Sequence, residues 1–83
     1  MTREDILSEL RRAMEDLFDL EPAAVHPAAR LYEDLDLDSI DAVDMAVKMQ
    51  EITGQRVDEQ TLRRIRTVGD VIDAIERVLQ APR

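Results

Sequence analysis

Apolar residues recur with a helical period in three stretches of the chain. Ile6, Leu7, Leu10, Met14, Leu17 and Phe18 fall at spacings that gather them on one face of an α-helix. Thr2 is placed to cap this helix, with Asp5 as its capping-box partner, and the helix is predicted to end near Asp19, ahead of Pro22. A second helix is predicted from Asp38 or Ser39 to about Thr53, with Asp38 as N-cap and Gly54 as the stop. Val57 and Asp58 open a short helix near residues 59–64 that contains Leu62. Thr67 caps the last helix, with Asp70 at its third position. Val68, Val71, Ile72, Ile75, Val78 and Leu79 give that helix an apolar face. The tail, residues 81–83, is predicted to fray.

Residues 20–37 show no sustained period and contain Pro22 and Pro27. They read as a long ordered loop, tacked onto a core by Val25, Leu31, Tyr32, Leu35 and Leu37. A loop this long in a small domain has a job or is pinned down. The pattern predicts an all-α, four-helix bundle in one domain spanning residues 1–83. It has three longer helices, a short third one and a long first loop. Composition agrees: Gly occurs only twice, and Phe18 and Tyr32 are the only aromatic residues. There is no cysteine, so neither a disulfide nor a thiolate zinc site can supplement the modest core of so short a chain.

The second helix carries two apolar stripes when its residues are placed at about 100° intervals. Met45, Met49 and Ile52, with Ala42 and Ala46 alongside, form one. Ile40, Val43 and Val47 form the other, nearly opposite, with Asp44 and Glu51 on its flanks. A small bundle does not easily bury both sides of one helix. The longer stripe is assigned to the core, so Ile40, Val43 and Val47 are expected to stay exposed. An apolar strip rimmed with acid reads as a docking surface; the alternative is that Val43 or Val47 packs on the loop. Met14, Met45 and Met49 are either plain core or flexible residues around which a core can open.

The formal net charge is −8, which disfavours nucleic acid and anionic lipid and favours basic partners. No apolar run is long enough to span a membrane. The N-terminus is charged from Arg3, unlike a secretory signal, so a cytoplasmic location is expected. Six carboxylates crowd the stretch from Glu33 to Asp44, EDLDLDSIDAVD, around a single hydroxyl, Ser39. Their mutual repulsion predicts a gain of stability in mild acid. Asp34, Asp36 and Asp38 match the opening of a calcium loop, but Ser39 and Met45 stand where that loop needs Gly and Glu. No metal site is assigned. Ser39 lacks the setting of a catalytic nucleophile: the only histidine is His26, beside Pro27, and no G-x-S-x-G elbow is present. The chain is therefore not expected to be an enzyme. A serine at a helix N-terminus suits a phosphate ester instead, because unpaired N–H groups and the helix dipole stabilise added negative charge. A phosphorylation site fits that setting as well.

At this point Leu35-Asp36-Leu37-Asp38-Ser39-Ile40-Asp41 resembles the signature of the acyl carrier proteins, Asp-Ser-Leu/Ile after a leucine-bearing loop and heading an acidic helix. Val57-Asp58, Ile65-Arg66-Thr67-Val68 and the last amphipathic helix are similar too, so the likeness runs from about Thr2 to Leu79. The resemblance implies the same four-helix fold and a monomer. It implies that Ser39 receives 4′-phosphopantetheine from coenzyme A through a separate magnesium-dependent phosphopantetheinyl transferase, with Asp38 supporting that reaction. The arm's thiol would carry acyl groups as thioesters. Ile40, Asp41, Val43, Asp44 and Val47 match the positions that dock partner enzymes: ketosynthase, acyltransferase or acyl-ligase, reductases and dehydratases.

Arg63, Arg64 and Arg66 form a basic cluster where the family often has acids, read either as solvated arginines or as a changed partner set. Lys48 stands where the family's second helix is commonly small or apolar, and the turn after Ile52 is one residue shorter than in carriers of fatty acid synthesis. These departures point to a stand-alone carrier of a specialised pathway, of polyketide or aryl polyene type. The Gly-Gly that precedes the serine of many peptidyl carriers is absent. The alternatives are a peptidyl or other small-acid carrier, or a helical protein-binding module without a prosthetic group. A helix-turn-helix regulator using the three arginines conflicts with the net charge.

Overall fold

Reciprocal caps start three of the four helices. The computed structural model describes residues 1–80; the fraying expected of residues 81–83 lies outside the described residues. Helices α1 (Arg3–Phe18), α2 (Ser39–Thr53), α3 (Glu59–Arg64) and α4 (Val68–Gln80) follow in order, with a 3₁₀ turn at Pro22–Ala24. At α1 the Thr2 hydroxyl accepts the Asp5 N–H at 3.1 Å, and the Asp5 carboxylate accepts the Thr2 N–H at 3.0 Å. Thr67 and Asp70 repeat the exchange at α4, 3.1 Å in each direction. α2 ends at Gly54, whose φ of 70° is the left-handed region that glycine enters without cost. α1 ends at Asp19, at φ 57°, with its N–H on the Glu15 carbonyl at 3.0 Å.

The apolar faces meet as their spacing predicts. Ile6, Leu10 and Met14 of α1, Met45 and Met49 of α2, and Val68, Val71, Ile72 and Ile75 of α4 are buried in one core. Leu17 and Leu79 lie on the right faces but are exposed. Both sit in the last turn of their helix, where the apolar face runs past the packed middle. Thr53 is buried with its polar needs met: its hydroxyl lies 2.9 Å from the Met49 carbonyl and accepts the Gln55 N–H at 3.2 Å.

The long loop is part of the core. Val25, Ala29, Leu31, Leu35 and Leu37 are buried, whereas Tyr32, expected among the loop's anchors, is exposed. Backbone bonds stitch the loop to the start of α4: Leu31 N–H to Arg66 carbonyl, Val68 N–H to Ala29 carbonyl and Gly69 N–H to Pro27 carbonyl, each 2.9 Å. The two segments of this seam touch so closely that a Cβ on Gly69 would lie 3.0 Å from the Pro27 oxygen. Arg11 adds a tie from α1, its Nε donating to the Val25 carbonyl at 2.9 Å. Arg3 joins the start of α1 to α4 through Asp73, at 2.8 Å, and Glu76. Arg3 and Asp73 are well exposed and Glu76 partly so, a setting where ion pairs add little stability.

Candidate functional site

The loop delivers Ser39 to the start of α2 in a fixed setting. The Asp34 carboxylate accepts the Arg30 backbone N–H at 2.8 Å and its Nη2 at 3.0 Å, closing the turn. The Arg30 side chain and then its backbone N–H hold the Asp34 pKa below the usual carboxylate value. Asp36 follows at φ 56°, an uncommon conformation for a residue with a side chain, between two buried leucines. One oxygen of Asp38 then accepts the N–H groups of Ile40 and Asp41, both at 3.0 Å. Asp41 returns the favour, its carboxylate accepting the Asp38 N–H at 3.0 Å. Asp41 is thus half of a capping box as well as a member of the acidic rim. The sequence carried that signal, since Asp at the third helical position after an Asp N-cap repeats the Thr-x-x-Asp arrangement of the other two caps.

The same bonds alter the expectation for Ser39. The N–H groups thought to await a phosphate at the head of α2 are already taken by Asp38 at Ile40 and Asp41. Ser39 itself is exposed and opens onto a cavity of about 450 Å³. Leu31, Leu37, Met45, Met49, Ile65 and Val71 line it from inside, all buried. Tyr32, Asp38, Ser39, Val43 and Arg63 line it and are exposed, so they make its mouth. Asp38 is engaged in the cap, and His26 is not among the lining residues. The Ser39 side chain thus stands exposed at the mouth, beside the capping Asp38.

The outer side of α2 presents the second stripe. Ile40, Val43 and Val47 are 72%, 63% and 52% exposed, while Met45 and Met49 are buried, as the two-stripe argument required. Asp44 and Glu51 are exposed beside them, and Lys48 is half-buried with its Nζ 3.4 Å from Glu51. Val43 belongs to both features, the strip and the cavity mouth.

The three arginines of the expected basic cluster have different surroundings. Arg63 lines the cavity mouth. Arg64 lines a separate groove with Asp70, Asp73 and Arg77. Arg66 donates from Nη1 to the carbonyls of Arg63, at 2.7 Å, and Ile65, at 3.1 Å, closing the end of α3. A six-residue helix points successive side chains in different directions, which separates neighbours in sequence.

Comparison with known proteins gives the arrangement a family. A family model described as a phosphopantetheine attachment site matches residues 8–75. Acyl carrier protein 2 of Ralstonia nicotianae is 49% identical over 81 residues, 98% of this chain and 100% of that protein. An acyl carrier protein of Coprothermobacter proteolyticus is 37% identical, covering 92% of this chain and 93% of its own. The meromycolate extension acyl carrier protein of Mycolicibacterium smegmatis is 34% identical over 93% of this chain and 78% of its own. The solved structure of an acyl carrier protein from Enterococcus faecalis superposes with a TM-score of 0.71, over 99% of this chain and 100% of that one. At 24% identity it bears on the fold alone. The chain therefore belongs to the acyl carrier proteins, which hold acyl groups on a covalently attached 4′-phosphopantetheine arm.

Proposed function

We propose that Ser39 is the residue that carries the arm, that the cavity beneath it shelters the acyl chain, and that Ile40, Asp41, Val43, Asp44 and Val47 form the docking face. The observation that supports this reading is the exposed Ser39 hydroxyl at the mouth of an apolar cavity, one residue from an exposed apolar strip. A carrier is not a catalyst, and the chain's residues fit that role: they present a hydroxyl, line an apolar cavity beside it and offer a contact surface. The arm supplies the thiol that a cysteine-free chain lacks. A separate transferase moves phosphopantetheine from coenzyme A: the Ser39 oxygen bonds to the pantetheine-side phosphorus, the pyrophosphate P–O bond breaks, adenosine 3′,5′-bisphosphate leaves, and the hydroxyl proton passes to a base of the transferase. Asp38 serves that reaction by fixing the first turn of α2 and by placing a carboxylate beside the hydroxyl for the transferase's metal.

The partners on this reading are enzymes with basic docking patches: the transferase, ketosynthase, acyltransferase or acyl-ligase, reductases and dehydratases. The pathway we favour is a specialised one of polyketide or aryl polyene type, supported by Lys48 and the arginines of α3. The site is tested by incubating apo protein with coenzyme A and a broad-specificity phosphopantetheinyl transferase and reading intact mass. Wild type gains one phosphopantetheine and Ser39→Ala gains none; equal addition to both removes Ser39 from the role.

A further inference from the structure

We infer that Lys48 is a specificity-determining residue of the docking face: by pairing with Glu51 it confines the acidic address of α2 to the Ser39 end, and so selects partners whose basic groups gather there. The inference rests on the outer side of α2 being the docking face. At about 100° per residue, every charged residue of α2 falls on one flank of the apolar strip. In order they are Asp41, Asp44, Lys48 and Glu51. They stand three or four residues apart, so each neighbours the next in one row along the helix. The other flank holds Ser39 and Gln50 and no charge.

Three of the four are acids, and unopposed they would address a basic patch along the whole helix. The structure divides them. Lys48 is half-buried with its Nζ 3.4 Å from the exposed Glu51. Asp44, four residues before Lys48, is exposed and enters no ion pair among the described residues. Asp41 accepts the backbone N–H of Asp38 at 3.0 Å. The row therefore holds two acids without a cation near Ser39, then a pair whose charges cancel. At 1.5 Å per residue, Asp41 and Asp44 are about 4.5 Å apart along the axis, and the row from Asp41 to Glu51 spans about 15 Å. A partner with two basic side chains at the Ser39 end meets the whole attraction. A basic row about 15 Å long sets its farther charges against a neutral pair that includes a cation. Like charge opposed to Lys48 rejects such a partner, as a repulsive contact does in other specific interfaces. The fitting partner is an enzyme surface with an apolar patch for the strip, basic side chains beside Asp41 and Asp44, and neutral or acidic ones opposite Lys48.

The test uses the full chain, isotope-labelled for NMR, with two stapled helical peptides as probes. Both peptides carry the same leucine stripe. One has arginines beside the stripe along its whole length; the other has them at one end only, with glutamine elsewhere. Affinities are read from amide shifts along α2, and amide spectra of the free variants check that each keeps the fold. The quantity compared is the ratio of long-patch to short-patch affinity. Lys48→Gln is expected to raise that ratio about two- to fivefold, the worth of one exposed ion pair, and high salt to remove the rise. Glu51→Gln lowers the ratio, and the double variant returns to the wild-type value, because the charges of the pair cancel. Arg12→Gln, the same change of charge at an exposed site on α1, leaves the ratio as it is. An unchanged ratio in Lys48→Gln overturns the proposal. So does an equal rise in Arg12→Gln, which would mark net charge alone. If neither peptide shifts the amides of α2 in wild type, the docking face itself is overturned.

Discussion

If the cavity under Ser39 shelters cargo, the length of the acyl chain should set the stability of the loaded protein. The perturbation is the exchange of acetyl for octanoyl on the holo form. The cavity of about 450 Å³ has room for on the order of fifteen groups of about 30 Å³, the share of one water in the liquid. An octanoyl chain therefore fits. Its additional six or so methylenes, each worth about 0.8 kcal/mol when removed from water, set an upper bound of about 5 kcal/mol. Even about a fifth of that, roughly 1 kcal/mol, moves the melting midpoint of a domain this size by about 4–8 °C. The assay is a thermal melt of both species at equal concentration, read by circular dichroism. Ala46, buried and lining the cavity, provides the control: Ala46→Phe fills the space and should erase the difference between octanoyl and acetyl. Identical midpoints for the two loaded forms of wild type would refute the reasoning, because a chain left in water has nothing to add to the folded state.

Three further outcomes follow from named contacts. Asp44→Lys should slow phosphopantetheine transfer without loss of helicity, since Asp44 is exposed and the α2 capping box is formed by Asp38 and Asp41; adding Asp41→Lys should lower helicity too, because it breaks the box. Asp36→Val should cost about 1–2 kcal/mol in urea unfolding, because a β-branched residue tolerates the left-handed backbone far less well than Asp. Asp5, Asp34 and Asp58 all have lowered pKa values, through hydrogen bonds from Thr2, Arg30 and Thr61 in turn. The unfolded chain thus binds protons before the folded one does, and the stability they add is present above the ordinary carboxylate range and lost as pH falls below about 4. Melts from neutral pH downward should show that decline. Within the crowded acidic run the one resolved shift, that of Asp34, is opposite in sign to the repulsion expected there, and Arg30 is the reason.

The helices were legible because their signals are local. Thr2, Asp38 and Thr67 cap where their types predict, Gly54 stops α2, and the Met45/Met49 stripe is the buried one. The exposed strip was legible for the same reason, as a second apolar face that a small bundle could not absorb. What escaped the sequence depends on distant partners. Ala29 is buried and Tyr32 exposed because of how the loop pairs with Arg66–Gly69, and no period announces that pairing. The arginines look like a cluster in one dimension, but the short helix α3 sets Arg63 at the cavity and Arg64 at a second groove. The cavity itself is a property of packing, and spacing alone does not reveal it.

The seam between the loop and α4 also governs when the site comes into being. Its hydrogen bonds join residues 27–31 to residues 66–69. A ribosome releases Ser39 well before Arg66, so the serine first emerges on a segment whose partners do not yet exist. Contacts between distant positions form only after the intervening span is free to close. The loop that leads to Ser39 gains its seam with residues 66–69 late, once the start of α4 has been made. If Ser39 is the attachment point, a transferase that reads the folded head of α2 would meet its substrate only after synthesis of that helix.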